Sequence, residues 1–370
     1  LYEGIGFCQT LMGATLGEMG RLDEAWVHFD AGRKAFQQAK RPYGLMVNRA
    51  LRFKIEFLAG AVEIREGDLA PYNQLLEEAD RFGALDIVWR MGFEIGRALA
   101  REGRNEQARG YLERAVEALE ATRARLREDT IKKMFASSVQ DVYEETIELL
   151  FTMGRFEEGF DYLERAKARA FLDMLAGRSL EATKGVDALL IQKERNLQKR
   201  IDTLARKLRM TLGSARQEVY EAYQKNLKER EQVLEAVKDQ NLEYAATTTV
   251  TTVPGRRIAD RLGDRTALVS FFTGRDRVLA WVVQNGTFSA VAADLGREAL
   301  AGLVSDYRDA ITAQKDRRLE DLGARLTQAL LHPIRDRIQG AERLYIVPSR
   351  SLHYLPFATL PVSKGRCLIE

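Results

Sequence analysis

The amino-acid sequence predicts a mainly α protein with a C-terminal α/β part, and three observations carry that expectation. Small and apolar residues recur through the first half at the offsets of paired helices. A heptad pattern then runs from Asp187 to Tyr244. After Ala246 the periodicity becomes strand-like, punctuated by Pro254-Gly255 and Asn285-Gly286.

The repeats come first. Met12-Gly13, Leu16, Gly20-Arg21-Leu22, Ala25, Phe29 and Gly32 fall where a two-helix tetratricopeptide unit needs them, with the glycine at the turn. A second copy reads Ile95-Gly96, Leu99, Gly103-Arg104, Ala108, Leu112 and Ala115, and a third Tyr143, Ile147, Leu150, Gly154-Arg155-Phe156, Gly159, Leu163 and Ala166. A weaker one lies around Gly60, Gly67, Leu69, Tyr72, Leu76 and Ala79. Small residues recur because two closely crossing helices leave room only for Gly or Ala, while larger apolar residues fill the space between units. Ala25, Tyr72, Ala108 and Gly159 are spaced by 47, 36 and 51 residues, so the units are degenerate, and Leu119 to Thr152 reads as a long helical stretch. Its dense, mixed charge reads as a solvated face.

The heptads place Leu190, Leu197, Ile201, Leu204 and Leu208 on one arm and Tyr220, Tyr223, Leu227, Leu234 and Val237 on another. Gly213-Ser214 separates them, and Ser214 with Gln217 has capping-box spacing, which predicts an antiparallel helical hairpin. Strands are predicted at Thr247–Val253, Ala267–Phe272, Val278–Val283 and Thr287–Val291, with hairpin turns at Thr273–Asp276 and Asn285-Gly286. Helices follow at Arg297–Thr312 and Leu319–Ile338, then a buried strand, Arg343–Val347, closed by Pro348. The expected domains are 1–178, 179–246 and 247–370.

Composition narrows the class. A chain of 370 residues exceeds one compact core, and 45% hydrophobic content suits a globular protein. No eighteen-residue apolar run and no signal-peptide pattern are present, which predicts no spanning helix and a cytoplasmic location. Leu1 stands in mid-pattern and Arg366–Glu370 has no terminating signal, so a piece of a longer chain is expected. Fifty-seven basic against 54 acidic residues leave a net charge of +3, too weak a field to imply nucleic acid. The first hairpin arm is locally basic, yet it has no aromatic interleaving, and nucleic acid is disfavoured as a partner. Cys8 and Cys367 have no ligand-spaced neighbours, and no phosphate-cradling glycine motif occurs, so neither metal nor cofactor is expected.

Three stretches together are similar to a known family. They are Glu164–Leu175; Thr266–Phe272 with Val278–Val283; and Leu344–Pro348 followed by Leu352-His353-Tyr354-Leu355-Pro356-Phe357-Ala358-Thr359-Leu360. In this order they resemble the bacterial TPR-CHAT proteins, in which tetratricopeptide repeats precede a caspase-like CHAT domain. The resemblance implies a cysteine peptidase fold whose catalytic His and Cys follow two later strands, after Glu370, so the chain is expected to be inactive as it stands. Ser349-Arg350-Ser351 departs from the acidic residue and glycine that the family commonly has there.

Peptide hydrolysis by this route needs a thiolate, an imidazole and oxyanion-holding amides. No catalytic residue is assigned to this chain. His353 reads as a packing or hydrogen-bonding residue, His332 as a helix-terminus residue and His28 as part of a repeat helix. Cys367 reads as the start of a strand and Cys8 as a small core residue. Arg350, following the first parallel strand, is the one substrate-specificity candidate, since caspases keep a substrate-reading arginine there. Two roles are weighed: the recognition scaffold of a peptidase, binding a protein or peptide through its repeats, and a non-catalytic adaptor. The hairpin is assigned any homo-oligomer contact.

Overall fold

The structure is a computed structural model that describes residues 1–60, 69–124, 129–175, 187–210, 215–240, 252–313, 316–363 and 366–368. By packing, the chain divides into two units, Leu1–Leu149 with Arg169–Thr251, and Leu150–Ala168 with Thr252–Glu370.

The first unit is helical. It contains α1 (Tyr2–Glu18), α2 (Leu22–Gln38), α3 (Pro42–Leu58), α4 (Ala70–Phe82), α5 (Leu85–Arg101), α6 (Asn105–Ala124), most of α7 (Asp129–Thr152), α9 (Ala188–Met210) and α10 (Ala215–Gln240). Of the stretch from Leu119 to Thr152, residues 119–124 belong to α6 and 129–152 to α7, and those between lie outside the described residues. One turn chemistry recurs. Gly20 and Gly103 sit at φ 79° and 75°, and the arginine after each donates its amide five residues back, Arg21 to the Leu16 carbonyl and Arg104 to Leu99, both at 2.9 Å. A left-handed glycine followed by this bond closes a helix end and reverses the chain, which is why Gly-Arg marks the turns.

Paired helices approach closely through small residues. A Cβ on Gly17 would lie 2.5 Å from Ile55, and one on Gly96 would lie 2.7 Å from Leu112. The inner face of α1 is Gly6, Thr10, Gly13 and Gly17, which receives Phe36, Phe29 and Ile55. Cys8, expected in the core, is exposed. The small residues take the core positions of α1 and turn the larger side chains and Cys8 outward.

The predicted hairpin is present. The Asp187 carboxylate accepts the Leu189 amide at 2.8 Å and caps α9, and Arg230 of α10 bonds Glu194 of α9 at 2.8 Å. Ile191, Leu197, Val233 and Val237 pack at one end, and Ile201, Leu208 and Tyr223 at the other. Ser214, the expected cap of α10, lies outside the described residues.

The second unit has three layers. A four-stranded sheet contains β1 (Thr266–Thr273), β2 (Val278–Gln284), β3 (Thr287–Ala293) and β4 (Arg343–Val347) in the order β3-β2-β1-β4. β1 is antiparallel to β2 and parallel to β4. Asn285 and Gly286, at φ 49° and 70°, form the β2–β3 turn. The strand expected at Thr247–Val253 falls largely outside the described residues; Pro254 instead leads into a short helix, α11 (Gly255–Ala259).

On one face of the sheet, Val269, Phe271, Val278, Ala280 and Val282 pack against α12 (Arg297–Thr312) and α13 (Asp316–Leu330). α13 stops at Leu330 rather than running to Ile338, because Pro333 lacks an amide donor, and residues His332–Arg337 tighten into a 3-10 turn. β4 is not the buried strand expected. It forms the sheet edge, Arg343 and Tyr345 are exposed, and its other residues are half-buried. On the opposite face lies α8 (Phe156–Leu175), which belongs to this unit through Ala168. Beyond β4 come two 3-10 turns and a small hairpin of β5 (Pro361–Ser363) and β6 (Arg366–Cys367).

Candidate functional site

Strand alternation decides what faces α8. The register sets Ser270 opposite Trp281 on β2 and Val347 on β4, so these residues form one row across the sheet. The Trp281 indole donates to the Phe156 carbonyl at 2.9 Å, and its ring lies over Gly159, where a Cβ would come within 3.1 Å. Gly159 therefore admits the indole. Phe160 packs on Phe288 at 5.5 Å, and the Asp161 carboxylate accepts the Gly255 amide at 2.6 Å.

Farther along α8 lies a polar relay. Lys167 Nζ donates to Ser270 Oγ at 2.5 Å and approaches the Val347 carbonyl at 3.5 Å. Ser270 in turn donates to Glu164 Oε1 at 2.9 Å, and Lys167 stands 3.5 Å from the same carboxylate. Desolvation depresses the Lys167 pKa to about 8, with the Glu164 carboxylate opposing the shift. A lysine bonded to a serine is a nucleophile arrangement in principle. Ser270, however, is fully buried between strand and helix, so substrate has no access to its hydroxyl, and the relay works as a tether. It joins α8 to the middle of β1 and to the last residue of β4, beside the carboxyl ends of this parallel pair.

Those carboxyl ends are where an open α/β sheet builds a ligand site. Thr273, buried at the end of β1, approaches the Ser349 carbonyl at 3.5 Å, and an Arg297 guanidinium nitrogen lies 3.5 Å from the Thr273 carbonyl. Arg350 is exposed and has φ 51°, a left-handed conformation costly for a residue with a Cβ. This strained turn points the chain out of β4 into the 3-10 segment Arg350–Tyr354. Leu352 is buried and anchors the segment, while Tyr354 carries Arg308 over its ring at 5.3 Å. Phe357 stacks on Phe271 at 5.7 Å, and Tyr307 hydroxyl bonds the Thr359 carbonyl at 3.0 Å.

The structure scatters the other titratable candidates. His353 and His332 are exposed on separate 3-10 turns, and His28 Nδ1 pairs with Gln9 at 2.6 Å in the helical unit. Cys367 is half-buried in β6. Among the described residues no cluster of His, Cys, Asp or Glu could hold a metal ion, and no helix is long and apolar enough to cross a membrane. An open depression between Gly154–Glu158 and Gly286–Phe288 has neither a histidine nor a cysteine in its lining. Lys167, Glu164 and Ser270 were missed as a group by sequence reasoning. The signal was a serine in an otherwise apolar strand centre, together with a Glu and a Lys three residues apart on one helix.

A mixed sheet with a parallel strand pair, covered by helices on both faces, makes this unit a three-layered α/β fold. Residues 320–370 match the family model of the CHAT domain. The match begins within α13 and takes in β4, the Arg350 segment and the β5–β6 hairpin. No curated protein and no solved structure matches the chain.

Proposed function

We propose that this chain is the recognition and scaffold portion of a TPR-CHAT protein. In this reading the helical pairs bind a protein or peptide partner and present it to a caspase-like cysteine peptidase domain. The observation that carries it is the CHAT match at 320–370 on an α/β layer preceded by helix pairs closed with a repeated Gly-Arg turn. Arg350, on its strained turn after β4, is the residue assigned to substrate specificity. The described histidines and cysteines form no paired set, so the chain by itself is read as having no peptidase activity. Incubation with a denatured, fluorescently labelled protein substrate tests this, with no turnover expected. Turnover abolished by Cys367→Ser or His353→Ala would refute it.

A non-catalytic adaptor is the second reading, favoured by the heptad hairpin of α9 and α10 with its own packed seam. It predicts that partner capture survives in the intact protein without any cleavage of what is captured.

A further inference from the structure

The two arms of the hairpin differ in charge. α9 carries seven lysines and arginines against two acidic residues, whereas α10 carries five against six. Of the acidic residues on α9, Glu194 is buried against Arg230 and Asp202 accepts from Gln198 at 2.7 Å. The apolar side of α9 is taken up by α10, through Ile191, Leu197, Ile201 and Leu208. What remains outward is a cationic face with a defined layout. Arg195, Lys199 and Arg206 follow at steps of four and seven residues, about 6 and 10 Å along the axis. Lys193, Arg200 and Lys207 follow at seven-residue steps in a second row, about 120° further round the helix. Between the rows run the uncharged Gln192, Asn196 and Thr203, all exposed.

We propose that α9 docks in the major groove of double-stranded DNA, with its two cationic rows on the phosphates of opposite groove walls and the uncharged strip toward the base edges. The fit is one of width and charge. A helix with its side chains is about 10–12 Å across and the B-form major groove is about 12 Å wide. Phosphate contacts need only cations and polar donors. The lack of interleaved aromatics, which disfavours nucleic acid in the sequence, bears on single strands, whose unpaired bases stack on rings; a duplex keeps its bases paired. An acidic protein fits less well. From Gln192 to Lys207 every exposed side chain is polar or cationic, so the face lacks the apolar anchor on which protein interfaces depend. An anionic membrane fits no better, because a helix on a lipid surface inserts its apolar side, and α10 covers that side here.

Fluorescence anisotropy of the whole chain with a labelled mixed-sequence duplex of two turns, roughly 20 base pairs, tests the proposal. A dissociation constant of about 1–100 μM at about 150 mM salt is expected. Lys193 is held by Glu229 at 3.4 Å and Lys207 also interacts within the chain, which leaves Arg195, Lys199, Arg200 and Arg206 for phosphates. Four such contacts set the slope of log K against log salt at about −3.6. Lys199→Gln with Arg200→Gln should weaken binding about 50-fold at about 100 mM salt and bring the slope to about −1.8. Both side chains are exposed, so helical circular dichroism should not change. Lys225→Gln with Lys228→Gln, exposed on α10, should leave affinity and slope as they were. The A-form major groove is deep and narrow, so an RNA duplex of the same sequence should bind at least about 10-fold more weakly. No binding at about 50 mM salt overturns the proposal and leaves the face to an acidic protein. Binding that survives the α9 pair, or falls equally with the α10 pair, lies elsewhere on the chain and overturns it as well. Equal affinity for the RNA duplex overturns docking in the major groove.

Discussion

Replacing Lys167 by methionine tests the reading of α8 as a tethered layer of the sheet. Methionine keeps the length and removes the ammonium, while Ser270 retains its bond to Glu164. The folded pKa of about 8 lies below the 10.5 of a free lysine, a difference of about 3 kcal/mol against the charged form. Between these values the unfolded chain binds more protons than the folded one, so stability must rise with pH. Integrated from roughly pH 7 to pH 9.5, this one group should add about 2 kcal/mol to the stability of the α/β unit. Urea unfolding followed through Trp281 reports on that unit when Trp26 and Trp89 are both replaced by phenylalanine. The quantity to read is the pH-dependent gain of the parent over its Lys167→Met counterpart, which cancels every other titrating group. Parallel pH curves for the two proteins would mean that Lys167 is solvated, and the tether would be refuted.

Gly96→Ala should destabilise the helical unit by about 1–3 kcal/mol in thermal unfolding, because its Cβ would meet Leu112 at 2.7 Å and the Ala108 carbonyl at 3.1 Å. Gly110→Ala, with nothing within 4 Å, should instead stabilise the unit by up to about 1 kcal/mol, so equal effects at both sites would contradict the close-packing argument. Arg230→Ala leaves Glu194, whose side chain is 8% exposed, without its bridging guanidinium. A loss of about 2–4 kcal/mol in urea titration is expected, and a loss below about 0.5 would place the pair among ordinary surface bridges. Trp281→Phe removes the donor to the Phe156 carbonyl and should cost the α/β unit about 1–3 kcal/mol by calorimetry.

Much of this architecture was legible because backbone chemistry is local. Asn285-Gly286 can populate left-handed φ at successive positions, which predicts both the turn and the two strands beside it. Gly20-Arg21 and Gly103-Arg104 mark helix ends for a similar reason. What stayed hidden depends on neighbours distant in sequence. In α1 the periodicity of the large residues points to one face, yet the core takes the other, because Phe29, Phe36 and Ile55 supply the volume that the glycines leave open. A reader of α1 alone puts Cys8 inside. β4 reads as buried from its apolar run, but burial also needs a neighbour on each side, and among the described residues β4 pairs with β1 alone. Lys167 looks like one charge among many in Glu164–Leu175 until the fold brings Ser270 beneath it, 103 residues away. Arg350 follows β4, but its positive φ was not foreseen, since no glycine or asparagine announces it.

The α/β unit is assembled from two separate pieces of chain, with Arg169–Thr251 between them. It therefore behaves as a host carrying an insertion. A C-terminal fragment beginning at residue 247 would leave out the helix over Trp281 and Ser270, and should need residues 150–175 supplied as a second polypeptide to stay in solution. The same arrangement relaxes selection on the inserted length. Closing a longer excursion costs only about 0.6 kcal/mol for each doubling, so the α9–α10 arms can grow or shrink across evolution while the sheet and its covering helix keep their register.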